Sequence, residues 1–169
     1  SEKVLGKTSL NNLNLIHNKI NSKAALYISQ GLIDAQGIKY LLLGFNQIED
    51  EGCEFLAKGL EKNNSLVGLN LEDNNITNKG IMAISKSLNG KENFMELYIN
   101  NNQITEIEPD FYKLFDWVEL INIADNPLSQ SGIVRIFQGS ENNRLFKNIK
   151  FKTNDSDDFK FKCNNDNIK

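Results

Sequence analysis

The sequence predicts an α/β solenoid, a curved arc with parallel strands on its concave face and helices on its convex face. Asparagine recurs at positions 18, 46, 74, 102, 126 and 154, with a period of 28 residues broken by one step of 24. Each time it closes a run of the form apolar-x-x-apolar-x-apolar-x-x-Asn, as in L66-V-G-L-N-L-E-D-N74. A fixed period of this length marks stacked units. After the first three asparagines, apolar or small residues follow four apart, which is the spacing of one helix face. One strand–helix unit cannot bury its own apolar side, whereas stacked units share a continuous core.

The elements follow in order. Alternation places Leu13 with Leu15, Leu41 with Leu43, Leu69 with Leu71, Leu97 with Ile99, Ile121 with Ile123 and Ile149 with Phe151, each pair on one face of a short strand. The helical halves carry Ala24/Ile28/Leu32, Gly52/Leu56/Leu60 and Gly80/Ile84/Leu88, and Asp50 and Asn78 are expected to cap the second and third helices. The 24-residue unit departs from this spacing. Its Ile107, Phe111 and Leu114, together with Pro109, predict a compact turn or short helix. The fifth unit returns to the long form with Gly132 and Ile136, although Ser140 replaces the last apolar residue. At the end, two alternating segments between Ile149 and Cys163 flank an Asp/Ser turn, which predicts a hairpin closing the core. Its lysines (Lys150, Lys152, Lys160 and Lys162) fit an exposed edge strand protected from edge-to-edge pairing. The expected organisation is a cap or the end of a preceding repeat over 1–9, five repeats over 10–145, and a partial sixth repeat with a C-terminal cap over 146–169. V4-L-G-K-T-S-L10 overlays L88-N-G-K-E-N-F94, so a longer array is one expectation and a minimal cap the other.

The recurring asparagine has a structural explanation. Where the chain turns from strand to helix, backbone N–H and C=O groups lose their ladder partners, and a buried carboxamide can satisfy both kinds. The series is therefore read as a structural ladder.

These units resemble the leucine-rich repeats, whose pattern is L-x-x-L-x-L-x-x-N-x-L/I. The 28-residue units are most similar to the ribonuclease-inhibitor-like subclass, with G/A-x-x-x-L-x-x-x-L in the second half, and the 24-residue unit to the shorter typical class. The resemblance spans residues 4 to 154. It implies recognition through variable residues of the concave face. It further implies an intracellular assembly platform, with cytoskeletal and ciliary complexes among the family's settings. An alternative is regulation of a small GTPase, as in Ran GTPase-activating relatives, for which GTP-hydrolysis assays would discriminate.

Composition narrows the chemistry. With 169 residues, 40% of them hydrophobic, and a formal charge of −3, the chain can bury one core in a single elongated domain. No apolar run approaches the length of about eighteen residues needed to cross a bilayer, and S1-E-K-V-L-G-K-T lacks the apolar core of a signal peptide. The two cysteines, Cys53 and Cys163, do not indicate a disulfide framework. Cys53 is expected as a buried thiol, and the compartment as reduced and cytoplasmic. His17 is the lone histidine, N89-G-K91 lacks phosphate-loop spacing, and D155-S-D-D158 lacks the ligands of a calcium loop. No catalytic group, metal or cofactor is expected, and neither nucleic acid nor membrane is expected as a partner.

The register identifies the residues that face outward from the strands. Tyr40, Leu42 and Phe45 come together in the second repeat, flanked by Ile16 and Tyr98, while Glu72, Asp73, Glu96 and Asp125 form an acidic border. An aromatic anchor within such a border predicts binding to a protein with basic and apolar contact residues, as part of a larger complex.

Overall fold

The computed structural model describes residues 10–141, 148–152 and 158–161. Strands and helices alternate: β1 (Asn12–Asn14), α1 (Ser22–Asp34), β2 (Tyr40–Leu42), α2 (Glu49–Lys62), β3 (Gly68–Asn70), α3 (Asn78–Leu88) and β4 (Glu96–Tyr98). Next come α4 (Pro109–Tyr112) with a 3-10 turn at Lys113–Asp116, β5 (Leu120–Asn122), α5 (Gln130–Glu141), β6 (Asn148–Lys152) and β7 (Asp158–Phe161). The strands form one sheet in chain order, parallel from β1 to β6, with β7 antiparallel to β6. The hairpin expected at the end is present in these two strands. Its turn at 153–157, Asn154 of the ladder, Lys162 and Cys163, and the N-terminal segment 1–9 lie outside the described residues.

The register passes from Leu13 to Leu41, Leu69, Leu97 and Ile121 without a slip. The step of 24 therefore shortens the helical half and leaves the strand untouched. Four residues are about one helical turn, and the short α4 with its 3-10 turn replaces a full helix there. Ile107, Phe111 and Leu114 are buried as the core side of that segment. Strands stack about 4.8 Å apart whereas packed helices need about 8–10 Å. The sheet thus lies on the inner side of the bend.

The core runs between the two layers. Leu41, Leu69, Leu97 and Ile121, and likewise Leu43, Leu71, Ile99 and Ile123, are at most 1% exposed. In the first repeat, Leu13, Leu15, Ile20 and Ile28 are only partly buried, because this unit ends the described stack. Cys53 is fully buried, and burial, reinforced by Asp50 and Glu54, pushes its thiol far above the usual range. It stays protonated and inert.

The asparagine ladder does what the turn requires. Asn46, Asn74, Asn102 and Asn126 are each at most 7% exposed. The carboxamide of Asn46 accepts from the Asn18 and Ile20 N–H groups at 2.9 Å and donates to the carbonyls of Leu15 and Leu43 at 3.0 and 2.8 Å. Asn102 repeats this pattern one unit further, accepting from Asn74 and Ile76 and donating to Leu71, Ile99 and Asn100. Each amide thereby joins its own corner to the preceding one. Asn18 is exposed, since the described stack has no earlier corner for it to join.

The helix caps differ from expectation. α2 begins at Glu49, so Asp50 lies inside the first turn, and Ile48 at its N-cap makes no side-chain bond. Asp50 reaches the next repeat instead, accepting from the N–H groups of Thr77 (2.8 Å) and Gly80 (2.9 Å) and from the Thr77 hydroxyl (2.6 Å). Asn78 likewise accepts from the N–H groups of Thr105 and Glu106, while Thr77 caps α3. Glu106 continues this series toward Ser129 and Ser131, whose hydroxyls hold its carboxyl below the usual range. Asp50→Ala is expected to lower unfolding free energy by about 2 kcal/mol, the upper end for a lost cap. Urea denaturation checks this, and Thr77→Ala should cost less in the Asp50→Ala background than in the parent, because the Asp50 bond is already gone and only the Thr77 cap on the Lys79 N–H is lost.

Candidate functional site: the strand face

Side chains at alternate strand positions leave the sheet on the side away from the core. Tyr40, Gly68 and Glu96 are register partners in adjacent strands. A Cβ on Gly68 would stand 2.7 and 2.9 Å from Cδ1 and Cε1 of Tyr40 and 3.5 Å from Cβ of Glu96. The missing side chain lets the Tyr40 ring lie down across β3 toward β4. There the Tyr98 hydroxyl donates to Glu96 Oε2 at 3.2 Å. Partial burial, with the charge of Glu96 and the nearness of Tyr40, raises the Tyr98 phenol above its ordinary value. It remains a neutral donor.

Phe45 turns the other way. It is 36% exposed, and its ring stacks on His17 with centroids 4.4 Å apart and planes 26° apart. Leu42 is half-buried on β2 between the two groups. The second repeat thus divides its apolar residues, Tyr40 toward Tyr98 and Phe45 toward His17. The pairing with His17 could have been anticipated, because both residues immediately precede a ladder asparagine in adjacent repeats.

The acidic border comes from the middle repeats. Glu72 and Asp73 are half-buried just after β3, Glu96 is half-buried on β4, and Asp125 is exposed after β5. Glu72, Asp73 and Glu96 form no ion pair among the described residues, whereas Lys79–Glu54 and Lys113–Asp110 pair on the helical side. Three further positions on this side of the sheet are closed. Gly68 lies under Tyr40, Gly44 faces the Asn70 carboxamide (3.0 Å from its would-be Cβ), and Asn100 is 8% exposed with its side-chain oxygen accepting from Asn122. Each is met by a side chain from an adjacent strand.

Other candidate chemistry resolves into structure. Gly90 turns with φ +75°, and Lys91 donates to the Asn63 carbonyl (2.9 Å), Asn64 Oδ1 (3.0 Å) and the Glu61 carbonyl (3.3 Å). This ammonium closes the carbonyl end of α2 and is depressed below its usual range by burial. Among the described residues there is no group of three or more His, Cys, Asp or Glu side chains arranged to hold a metal. No helix among them is long and apolar enough to cross a membrane.

The fold and its corner asparagines define a leucine-rich-repeat solenoid. Residues 38–57 and 62–85 match the family model described as Leucine Rich repeat. Among solved structures, the chain is similar to the tropomodulin C-terminal domain of Caenorhabditis elegans, with 17% identity and a TM-score of 0.65, over 80% of this chain and 84% of that one. It is also similar to the leiomodin-1 actin-binding site 2, with 17% identity and a TM-score of 0.59, over 86% of this chain and 72% of that one. These likenesses concern the fold. No curated protein matches the sequence.

Proposed function

We propose that this chain is a non-catalytic protein-interaction module whose strand face binds a partner through Tyr40, Leu42, Phe45, Glu72, Asp73, Glu96, Tyr98 and Asp125. The supporting observation is the set of carboxylates at Glu72, Asp73 and Glu96, left without ion pairs among the described residues, beside the half-buried rings of Tyr40 and Tyr98 and the exposed Phe45–His17 stack. A surface of this kind complements a partner that presents Lys or Arg next to apolar residues. Its carboxylates also favour fast encounter at low salt. We read the long repeats as ribonuclease-inhibitor-like from their length and their Gly/Ala-x-x-x-Leu halves. We place the module in the cytoskeleton, with actin as the first partner to test, because its fold resembles a leiomodin segment described as an actin-binding site.

Co-sedimentation with actin filaments and titration of labelled monomeric actin test this reading. Replacing Tyr40 by Ala together with Glu96 by Gln is expected to weaken association about tenfold or more, in the range of interface hot spots. Stability should fall by about 1–2 kcal/mol, because the half-buried Tyr40 ring loses its packing over Gly68 while the core is untouched, so the variant stays folded and binding can be compared. Added salt should weaken the parent's binding, since exposed charges are screened within about 10 Å at 0.1 M. Association that is absent, or that ignores both substitutions, would remove the strand face as an actin site.

A further inference from the structure

Among the described residues, the one before each ladder asparagine adopts the left-handed conformation: His17, Phe45, Asp73, Asn101 and Asp125 have φ of 60°, 56°, 49°, 56° and 54°. Four of these five are His, Asp or Asn, the side chains that tolerate this region best. Phe45 is the exception. Its backbone is fixed by the neighbouring repeat, since its N–H donates to the Glu72 carbonyl at 2.8 Å. The corner therefore imposes its conformation on whatever residue stands there, and a bulky aromatic is an unfavourable choice. The ring does not repay the fold by burial, for it lies outside the core cluster and packs its face on His17.

We propose that Phe45 is retained for contact at the expense of the fold, and that the Phe45–His17 stack seats an apolar side chain of a basic partner segment. This rests on the interaction reading above and names the chemistry of its partner. The next corner holds Asp73, preceded by Glu72, neither in an ion pair among the described residues. That corner is one strand spacing away, about 4.8 Å, while an extended chain advances about 3.3 Å per residue. A segment that lays an aromatic or branched side chain on Phe45 thus brings a Lys or Arg one or two positions along onto Asp73 or Glu72. The charge complementarity selects a basic segment over an acidic one.

Selection of random phage-displayed peptides on the immobilised chain tests this, whatever the natural partner is. Enriched peptides should carry an apolar residue within two positions of Lys or Arg. They should bind about tenfold or more weakly to Phe45→Asn, the residue used at the equivalent Asn101 corner. Phe45→Asn should melt at or above the parent, and Phe45→Ala below Phe45→Asn. Peptides that need Tyr40 but bind Phe45→Asn unchanged would overturn this inference while leaving the strand-face reading standing. Enrichment of peptides indifferent to Tyr40, Glu96 and Phe45 alike would remove both. A Phe45→Asn variant that melts below the parent and no higher than Phe45→Ala would show that the ring serves the fold, and would also overturn the proposal.

Discussion

Asn102→Ala is expected to lower the free energy of unfolding by about 4 kcal/mol, the sum of two stranded N–H groups at about 1–3 kcal/mol each and a small cavity. The carboxamide is 3% exposed and accepts from Asn74 and Ile76, both at 3.0 Å, while donating to three carbonyls. Truncation leaves those N–H groups in a site closed to water, where no other acceptor is placed for them. Because a solenoid is held together by nearest-neighbour interfaces, the damage falls on the junction of the third and fourth repeats. Asn18→Ala is the internal control. That residue is exposed, and among the described residues its carboxamide nitrogen makes one bond, to the Ile16 carbonyl at 2.9 Å. Its loss should cost about 1 kcal/mol or less. Urea denaturation of both variants gives the comparison. Equal costs at the two positions would mean that the ladder is decoration and that corners are held by backbone bonds alone.

The contrast between Asn102 and Asn18 also shows why the fold could be read from the chain. The period exposes every equivalent position at once, so a buried amide in one repeat implies buried amides in the others wherever a preceding unit exists. Local rules were less reliable. A cap is ordinarily sought two or three residues ahead on the same helix, and by that rule Asp50 and Asn78 belong to their own helices. In this stack the partners of Asp50 are Thr77 and Gly80, 27 and 30 residues away, because the next repeat brings the start of its helix against that side chain. The strand face shows the same limit. Tyr40 and Phe45 are near in sequence, but the direction of each ring is set by a neighbour in another repeat. Gly68 clears a space for Tyr40, and His17 supplies a plane for Phe45. Alternation identifies which side of the sheet a residue leaves from. It does not show where a long side chain comes to rest.

Packing between helices gives the second large effect. Gly59→Val should destabilise the chain by about 3 kcal/mol, at the upper end for overpacking. A Cβ on Gly59 would lie 2.5 Å from the Ser29 carbonyl oxygen, 2.8 Å from its hydroxyl and 3.0 Å from its Cα. Two of these are backbone atoms, so no change of rotamer relieves the clash, and α1 must move away from α2. The displacement would also stretch the bond from the buried Ser29 hydroxyl to the Phe55 carbonyl. Gly31, the equivalent residue one repeat earlier, would meet nothing within 4 Å. Gly31→Ala should therefore raise stability by about 0.5–1 kcal/mol through helix propensity alone. Opposite signs at these two glycines would locate the close approach between α1 and α2. The same movement bears on function, because α1 belongs to the repeat that carries His17 and α2 to the repeat that carries Phe45. Shifting one unit against the other should disturb the stacked pair even though both rings lie on the far side of the sheet. Amide and ring NMR shifts of His17 and Phe45 in Gly59→Ala, the milder variant, would register this coupling. Unchanged shifts would mean that the sheet alone fixes the strand face, whatever spacing the helices adopt.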